Sequence, residues 1–236
     1  RGGNSPTIDV TKPSTKQPPA LRAESRGPEM STQFNDGAAM WNERYATDDY
    51  LFGREPNDYL RSHAGLITPG GCVLCVADGE GRNSVWLAQQ GLQVEAFDIA
   101  ENGVAKARKL AAKAGVVVDF HVADCDQWAW GDASHDAVVA VFVQFADPPM
   151  RARLFAHMAR ALKPGGLLIL QGYTPRQLDF KTGGPGVLSH LYTAEMLRES
   201  FAALQIIELR DYEAELTEGA RHTGRSALVG LVARKP

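Results

Sequence analysis

The sequence predicts a doubly wound α/β domain: a seven-stranded sheet, helices on both faces, the last strand antiparallel. Three observations lead there. From about residue 72 onward, short apolar runs alternate with stretches of helical spacing. A tight turn with two glycines, Asp78-Gly79-Glu80-Gly81, joins the first apolar run to the first of these helical stretches. The last two apolar runs follow one another with no helix between them.

The elements follow in order. Residues 1–33 are rich in Pro, Ser, Thr and Gly without apolar periodicity, which reads as a disordered tail, and Met30 is a candidate natural start. The folded domain is expected over 34–236. Met40, Trp41 and Tyr45 open a helical pattern from Ala38, and the turn Gly53-Arg54-Glu55-Pro56 leads to a helix near 58–66. Strands are expected near 72–77, 93–98, 116–122, 136–143 and 166–173, with helices near 82–90, 101–114, 149–162 and 193–203. Helical connections between successive strands require parallel pairing with right-handed crossovers. The final strands, near 204–211 and 225–233, form a pair in which the last inserts antiparallel. Residues 174–192 have the length of a binding loop or lid.

Composition narrows the function. The chain has 236 residues, 44% hydrophobic and 22% charged, with a net charge of -3, so it has no general pull toward nucleic acid. No apolar stretch approaches the roughly 20 residues that a membrane helix needs. Cys72, Cys75 and Cys125 form no disulfide framework and point to a reducing, cytoplasmic compartment. Cys72 and Cys75 are three apart on a strand, so they face opposite ways and chelate no metal together. No metal site is expected.

The turn after the first strand carries the chemistry. Strand, glycine turn, helix, and a second strand ending in Asp98 form an architecture for holding a nucleoside. Asp98 can accept hydrogen bonds from ribose hydroxyls. The dinucleotide spacing G-x-G-x-x-G fails in either register, with Ser84 or Arg82 at the last position, which disfavours a nicotinamide oxidoreductase. The G-K-[ST] ending of a phosphate loop is absent as well.

The stretch Val73-Leu74-Cys75-Val76-Ala77-Asp78-Gly79-Glu80-Gly81 resembles motif I of the class I S-adenosylmethionine-dependent methyltransferases, a Rossmann-like family. Cys75 stands where that motif has a carboxylate and Ala77 where it has its first glycine. Asp78 or Glu80 would supply the missing charge, with Asp78 the preferred candidate. Ala123-Asp124-Cys125 and the turn Leu162-Lys163-Pro164-Gly165-Gly166 match further positions of the family. The last is expected to end a helix and start a strand. The resemblance implies S-adenosyl-L-methionine as cofactor, held by Ala77, Asp78, Gly79, Glu80, Gly81, Arg82, Asn83, Asp98, Ile99, Asp124 and Cys125. Gln144 and Phe145, at the end of the fourth strand, are expected to touch cofactor or acceptor.

Five motifs are similar to the tellurite-resistance and thiopurine-type branch of that family. They are Trp41-Asn42-Glu43-Arg44, Gly53 to Asp58, Ala77 to Asn83, Thr182-Gly183-Gly184-Pro185 and Glu218 to Gly224. The branch implies methyl transfer to a small soft nucleophile, a thiol or a selenium or tellurium species. His222 and Tyr173 are the candidate catalytic residues, because imidazole titrates near neutrality and Tyr173 ends the fifth strand. Trp41, Tyr45, Tyr50 and Phe52 are read either as packing or as a cover over the cofactor. Asp147-Pro148-Pro149-Met150 is read as a helix cap rather than a base-flipping motif. The expected partner is a small-molecule acceptor. The alternatives carried forward are a non-catalytic S-adenosylmethionine sensor and, behind it, an oxidoreductase; the sequence is silent on oligomeric state.

Overall fold

The computed structural model describes residues 1–3 and 29–236, with the backbone alone for 29–36. The seven strands are β1 (Cys72–Val76), β2 (Gln93–Asp98), β3 (Asp119–Val122), β4 (His135–Val141), β5 (Leu162–Tyr173), β6 (Gln205–Glu218) and β7 (His222–Arg234). They lie in one sheet in the order β3-β2-β1-β4-β5-β7-β6. The pairs β3-β2, β2-β1, β1-β4 and β4-β5 are parallel, and β7 inserts antiparallel between β5 and β6. The expected fold class holds.

The helices are α1 (Glu29–Arg44), α2 (Asp58–His63), α3 (Arg82–Gln89), α4 (Glu101–Ala114), α5 (Pro148–Ala161), α6 (Gln177–Phe180) and α7 (Ala194–Ser200). The α1 helix starts at Glu29, well ahead of Ala38, so residues 29–33 are helical rather than tail. The disorder expected upstream lies outside the described residues. No helix among the described residues is long and apolar enough to cross a membrane.

Alternation along β1 explains the layering. Leu74 and Val76 enter a core with Phe97, Met158 and Leu197, whereas Val73 and Cys75 enter a second core with Val85, Val104 and Ala111. A strand buried on both faces needs the continuous apolar run seen at 73–76. Asp147 accepts a hydrogen bond from the Met150 amide at 2.9 Å and caps α5, with Pro148 in the first turn, as expected.

Three boundaries depart from expectation. Lys163-Pro164-Gly165-Gly166 is not a separate turn but part of β5, which pairs from Leu162 opposite His135 with a register shift before Ala137. The chain end holds it there: Gly165 N–H donates to the Lys235 carbonyl at 2.8 Å, and Lys235 N–H donates to Gly166 at 2.9 Å. β6 and β7 form a hairpin paired from Gln205↔Arg234 to Glu218↔His222, far longer than its apolar runs suggest. The linker at 174–192 contains α6 and a one-turn 3-10 helix, Leu188–His190.

Candidate functional site

The glycine turn leaves β1 with left-handed backbone at Ala77, Gly79 and Gly81. At Gly81 the requirement is also steric, because a Cβ there would lie 2.6 Å from the Ala107 Cβ, which holds α3 close to α4. Asp98 ends β2 beneath this turn. Its Oδ2 accepts the Gly79 N–H and its Oδ1 the Ala100 N–H, both at 2.9 Å. Each carboxylate oxygen keeps a second lone pair for a ligand.

Asp78 lies beside Asp98 and accepts a hydrogen bond from the Ser84 hydroxyl. Burial raises the Asp78 carboxyl to about 7, and the nearby Asp98 adds to the rise against the Ser84 hydrogen bond. Burial likewise raises Asp98 to about 6. Glu80 points elsewhere: it takes the Lys106 ammonium at 2.5 Å and the Leu51 N–H at 2.7 Å. Lys106 is completed by the Thr47 and Asp49 carbonyls. Asp78 and Asp98 are thus crowded carboxylates whose charge is left to be balanced by something else.

Aromatic side chains close over this turn. Tyr45 is buried, and a Cβ built on Gly79 would lie 2.8 Å from its hydroxyl. Burial pushes the Tyr45 phenol well up, with Asp98, Glu80 and Asp78 pushing in the same direction. Trp41 stacks on Tyr45 at 5.4 Å, and Phe52 sits edge-on to Tyr45 at 6.4 Å. α1 also passes over Ile99 at Gly37. These aromatics form a cover over the carboxylates.

Beside the turn, motifs far apart in the chain meet in one buried polar network. Arg82 Nη2 donates to Glu218 Oε2 at 2.7 Å. Asn57 Nδ2 donates to Glu218 Oε1 at 2.8 Å and to Gln171 Oε1 at 2.6 Å. The Asn57 amide donates to Asn83 Oδ1 at 2.9 Å. Burial would raise Glu218, but His222 and Arg82 outweigh it and hold the carboxyl at about 2. Gly219 makes the approach possible: its φ is +68°, and a Cβ there would meet the Gly53 nitrogen at 2.5 Å.

His222 stands at the edge of this network, buried rather than exposed in a hairpin. Its Nδ1 is 3.9 Å from Glu218 Oε2, too far for a hydrogen bond. Burial lowers its pKa, which keeps the ring neutral. Phe52, Phe142 and Tyr173 surround it, with ring centroids at 4.5, 4.3 and 5.7 Å. Three polar atoms here are buried without a hydrogen-bond partner: Arg82 Nη1, Tyr173 Oη and His222 Nδ1. Buried donors and acceptors are rarely left so.

Not every expected contact is presented. Gln144 donates to the Tyr173 and His190 carbonyls and accepts the Tyr173 N–H, so its amide is spent fastening the linker to β5. Phe145 is turned toward solvent. Phe142 is the aromatic at the end of β4 that enters the cluster, with φ +57°, a backbone state that no sequence signal announced. Asn57 and Glu218 were visible as motif letters but not as network centres. Asp124 accepts the Asp126 amide at 2.6 Å, and the Cys125 thiol is pushed up first by burial, then by Asp124 and Asp98. That electrostatic reach places the Asp124-Cys125 turn beside Asp98.

The donor set fits a nucleoside with positive charge. Carboxylates raised by burial favour a cation, and the lone pairs free on Asp98 suit ribose hydroxyls. Comparison with known proteins agrees. The family model described as "Methyltransferase domain" matches residues 73–166. The chain is 30% identical over 178 residues to the demethylmenaquinone methyltransferase of Renibacterium salmoninarum, covering 74% of this chain and 68% of that one. It is 29% identical to methyltransferase GfsG of Streptomyces halstedii over 69% of this chain, and spans 61% of that protein's length, about three fifths. Among solved structures, one from the conversion of a disulfide bond into a thioacetal group during echinomycin biosynthesis superimposes with TM-score 0.69. Its identity is 18%, and the match covers 86% of this chain and 92% of that one. TehB from Haemophilus influenzae gives TM-score 0.64 at 19% identity, covering 84% and 67%.

Proposed function

This chain belongs to the class I S-adenosylmethionine-dependent methyltransferases, and we propose that it methylates a small soft nucleophile: a thiol, or a selenium or tellurium species. The observation that carries the acceptor reading is the trio of buried, unpartnered atoms on Arg82, Tyr173 and His222 inside an aromatic box. Such a box suits a polarisable atom, and the trio suits its polar substituents. Four of the five branch motifs support the same reading by meeting here: Asn57, Arg82 and His222 gather around Glu218, and Gly183 lies against Tyr173.

In this reading Asp98 holds the ribose, and Asp78 supplies the counter-charge that Cys75 cannot. Glu80 is assigned to the scaffold, where it fixes Lys106 and the 51–53 turn. Bound S-adenosylmethionine supplies a methyl group already activated on a positive sulfur. The residues must then align the acceptor in line with it and exclude water, work worth on the order of 7–11 kcal/mol when positioning is good. His222, neutral through burial, takes the proton of a thiol acceptor at a ring nitrogen. Tyr173, whose hydroxyl is pushed well above its usual range first by burial and then by Glu218, stays protonated and donates.

Calorimetry with S-adenosylmethionine and its demethylated product tests the cofactor site: both bind, and Asp98→Ala weakens both. Transfer of labelled methyl to a panel of thiols, halides, selenite and tellurite then tests the acceptor. His222→Ala and Tyr173→Phe reduce transfer without loss of cofactor binding. Cofactor binding with no transfer to any acceptor would establish a sensor instead. A dinucleotide that binds where S-adenosylmethionine does not would sink the whole reading.

A further inference from the structure

A second cluster of ligand-type side chains lies at the β2–β3 edge, outside the residues already described. In the parallel register Glu95 stands opposite Asp119 and Phe97 opposite His121. Glu95, Asp119 and His121 therefore share one face, since side chains alternate along a strand. The His121 Nε2 lies 3.1 Å from Asp119 Oδ1 and 3.5 Å from Glu95 Oε1. All three atoms fall within 4.8 Å of one another.

The histidine nitrogen is the informative atom. It is cut off from solvent and has no hydrogen-bond partner, although both oxygens are within hydrogen-bonding distance. Neither oxygen can therefore lie on its N–H axis. An imidazole nitrogen flanked off-axis by two carboxylate oxygens is how ligands surround a metal placed on that axis. Zinc–ligand bonds of about 2.0–2.2 Å make the edges of a tetrahedron roughly 3.3–3.6 Å, close to the spacings seen.

The surroundings fit the same use. Glu95 Oε2 is engaged by the buried His135 at 3.0 Å, and the other nitrogen of His135 meets the Ser134 hydroxyl at 2.9 Å. A metal-binding carboxylate is commonly oriented by such an outer partner. The His121 ring lies 5.0 Å from Trp128, which stacks on Phe97 at 4.7 Å, so the imidazole is held in place. A cleft of about 440 Å³, lined by Glu95, Asp119 and His135 but not by His121, opens beside the cluster.

We propose that Glu95, Asp119 and His121 bind one divalent transition-metal ion of the zinc class. One imidazole with two carboxylates favours such an ion over magnesium or calcium, which take oxygen ligands alone. The ion clasps β3, a four-residue edge strand, onto β2 and, through His135, onto β4. β3 leads directly into the Asp124-Cys125 turn, so the clasp steadies one wall of the cofactor site from outside it.

Titration of the chelator-treated protein with Zn²⁺, and with Co²⁺ followed by its visible absorption, tests the site. One equivalent binds, the cobalt spectrum shows nitrogen and oxygen ligands without a thiolate band, and the melting temperature rises. His121→Ala and Asp119→Asn each abolish the spectrum, and His135→Ala weakens binding about 10-fold or more. Cys72→Ser leaves binding unchanged, which separates this site from thiol capture at the neighbouring cysteine. Absence of binding in the unaltered protein, or binding that survives His121→Ala, overturns the proposal.

Discussion

The Asp78–Asp98 turn and the Glu218 network both bury carboxylates, and they treat them in opposite ways. Glu218 is surrounded by donors from Arg82 and Asn57 and is held at about 2. Asp78 and Asp98 receive only a hydroxyl and backbone amides and rise to about 7 and 6. The first carboxylate is part of the architecture. The other two form no salt bridge among the described residues. Burial raises a carboxyl in both places; at Glu218 His222 and Arg82 together outweigh it, whereas at Asp78 the Ser84 hydrogen bond and the more weakly felt Arg82 do not.

Breaking the paired region gives the largest effect. Arg82→Ala leaves Glu218 buried without its cation and is expected to cost about 3–5 kcal/mol in chemical denaturation. A double-mutant cycle with Glu218→Gln should recover part of that loss, and purely additive losses would show that the two do not couple. Next comes Gly219→Ala, which places a Cβ against Gly53 at positive φ and should cost about 1–3 kcal/mol, read as a lower melting temperature.

The unpaired region answers with the other sign. Asp78 has a folded pKa of about 7 against 3.8 when unfolded, so between those values the folded state holds the extra proton. The stability linked to Asp78 is full below pH 4 and is lost as pH rises through 7. Glu218 does the reverse: its contribution is present above about 4.5 and is lost as pH falls toward 2. Asp78→Asn should therefore stabilise the free protein at pH 8, by about 1–2 kcal/mol, and flatten its stability between pH 4 and 7. Affinity for S-adenosylmethionine should rise with pH through 6–7 in the unaltered protein, and the variant should lose the part of that rise near 7 while keeping the part near 6 that Asp98 supplies. A flat binding profile in both would remove Asp78 from the cofactor site.

The smallest expected change in stability is the most discriminating. Tyr173 Oη has no hydrogen-bond partner, so Tyr173→Phe should move stability by less than about 0.5 kcal/mol while lowering methyl transfer. A large loss of stability would show that the hydroxyl is structural.

Much of this was legible from residues 73–98. An apolar run buried on both faces, a glycine turn and a strand-ending Asp98 read the same in sequence and in space, because each depends on neighbours in the chain. Asp147 as a helix cap is local for the same reason. Local reading stops where a distant partner intervenes. Gln144 follows the fourth strand, and the linker 46 residues away takes its amide. Lys163-Pro164-Gly165-Gly166 has turn composition, yet the chain terminus draws it into β5.

By itself, the sequence determined the strand–helix alternation, the parallel sheet with its inserted last strand, and the glycine turn of the methyltransferase family. Those follow from periodicity and from glycine's tolerance of left-handed backbone, both short-range properties. Only the tertiary structure decided that Asn57, Arg82 and Glu218 share one network, that Phe142 rather than Phe145 lines the aromatic box, and that Tyr45 covers Asp98. Charge balance inside a protein is settled between residues more than a hundred positions apart, and no local pattern records which of them meet.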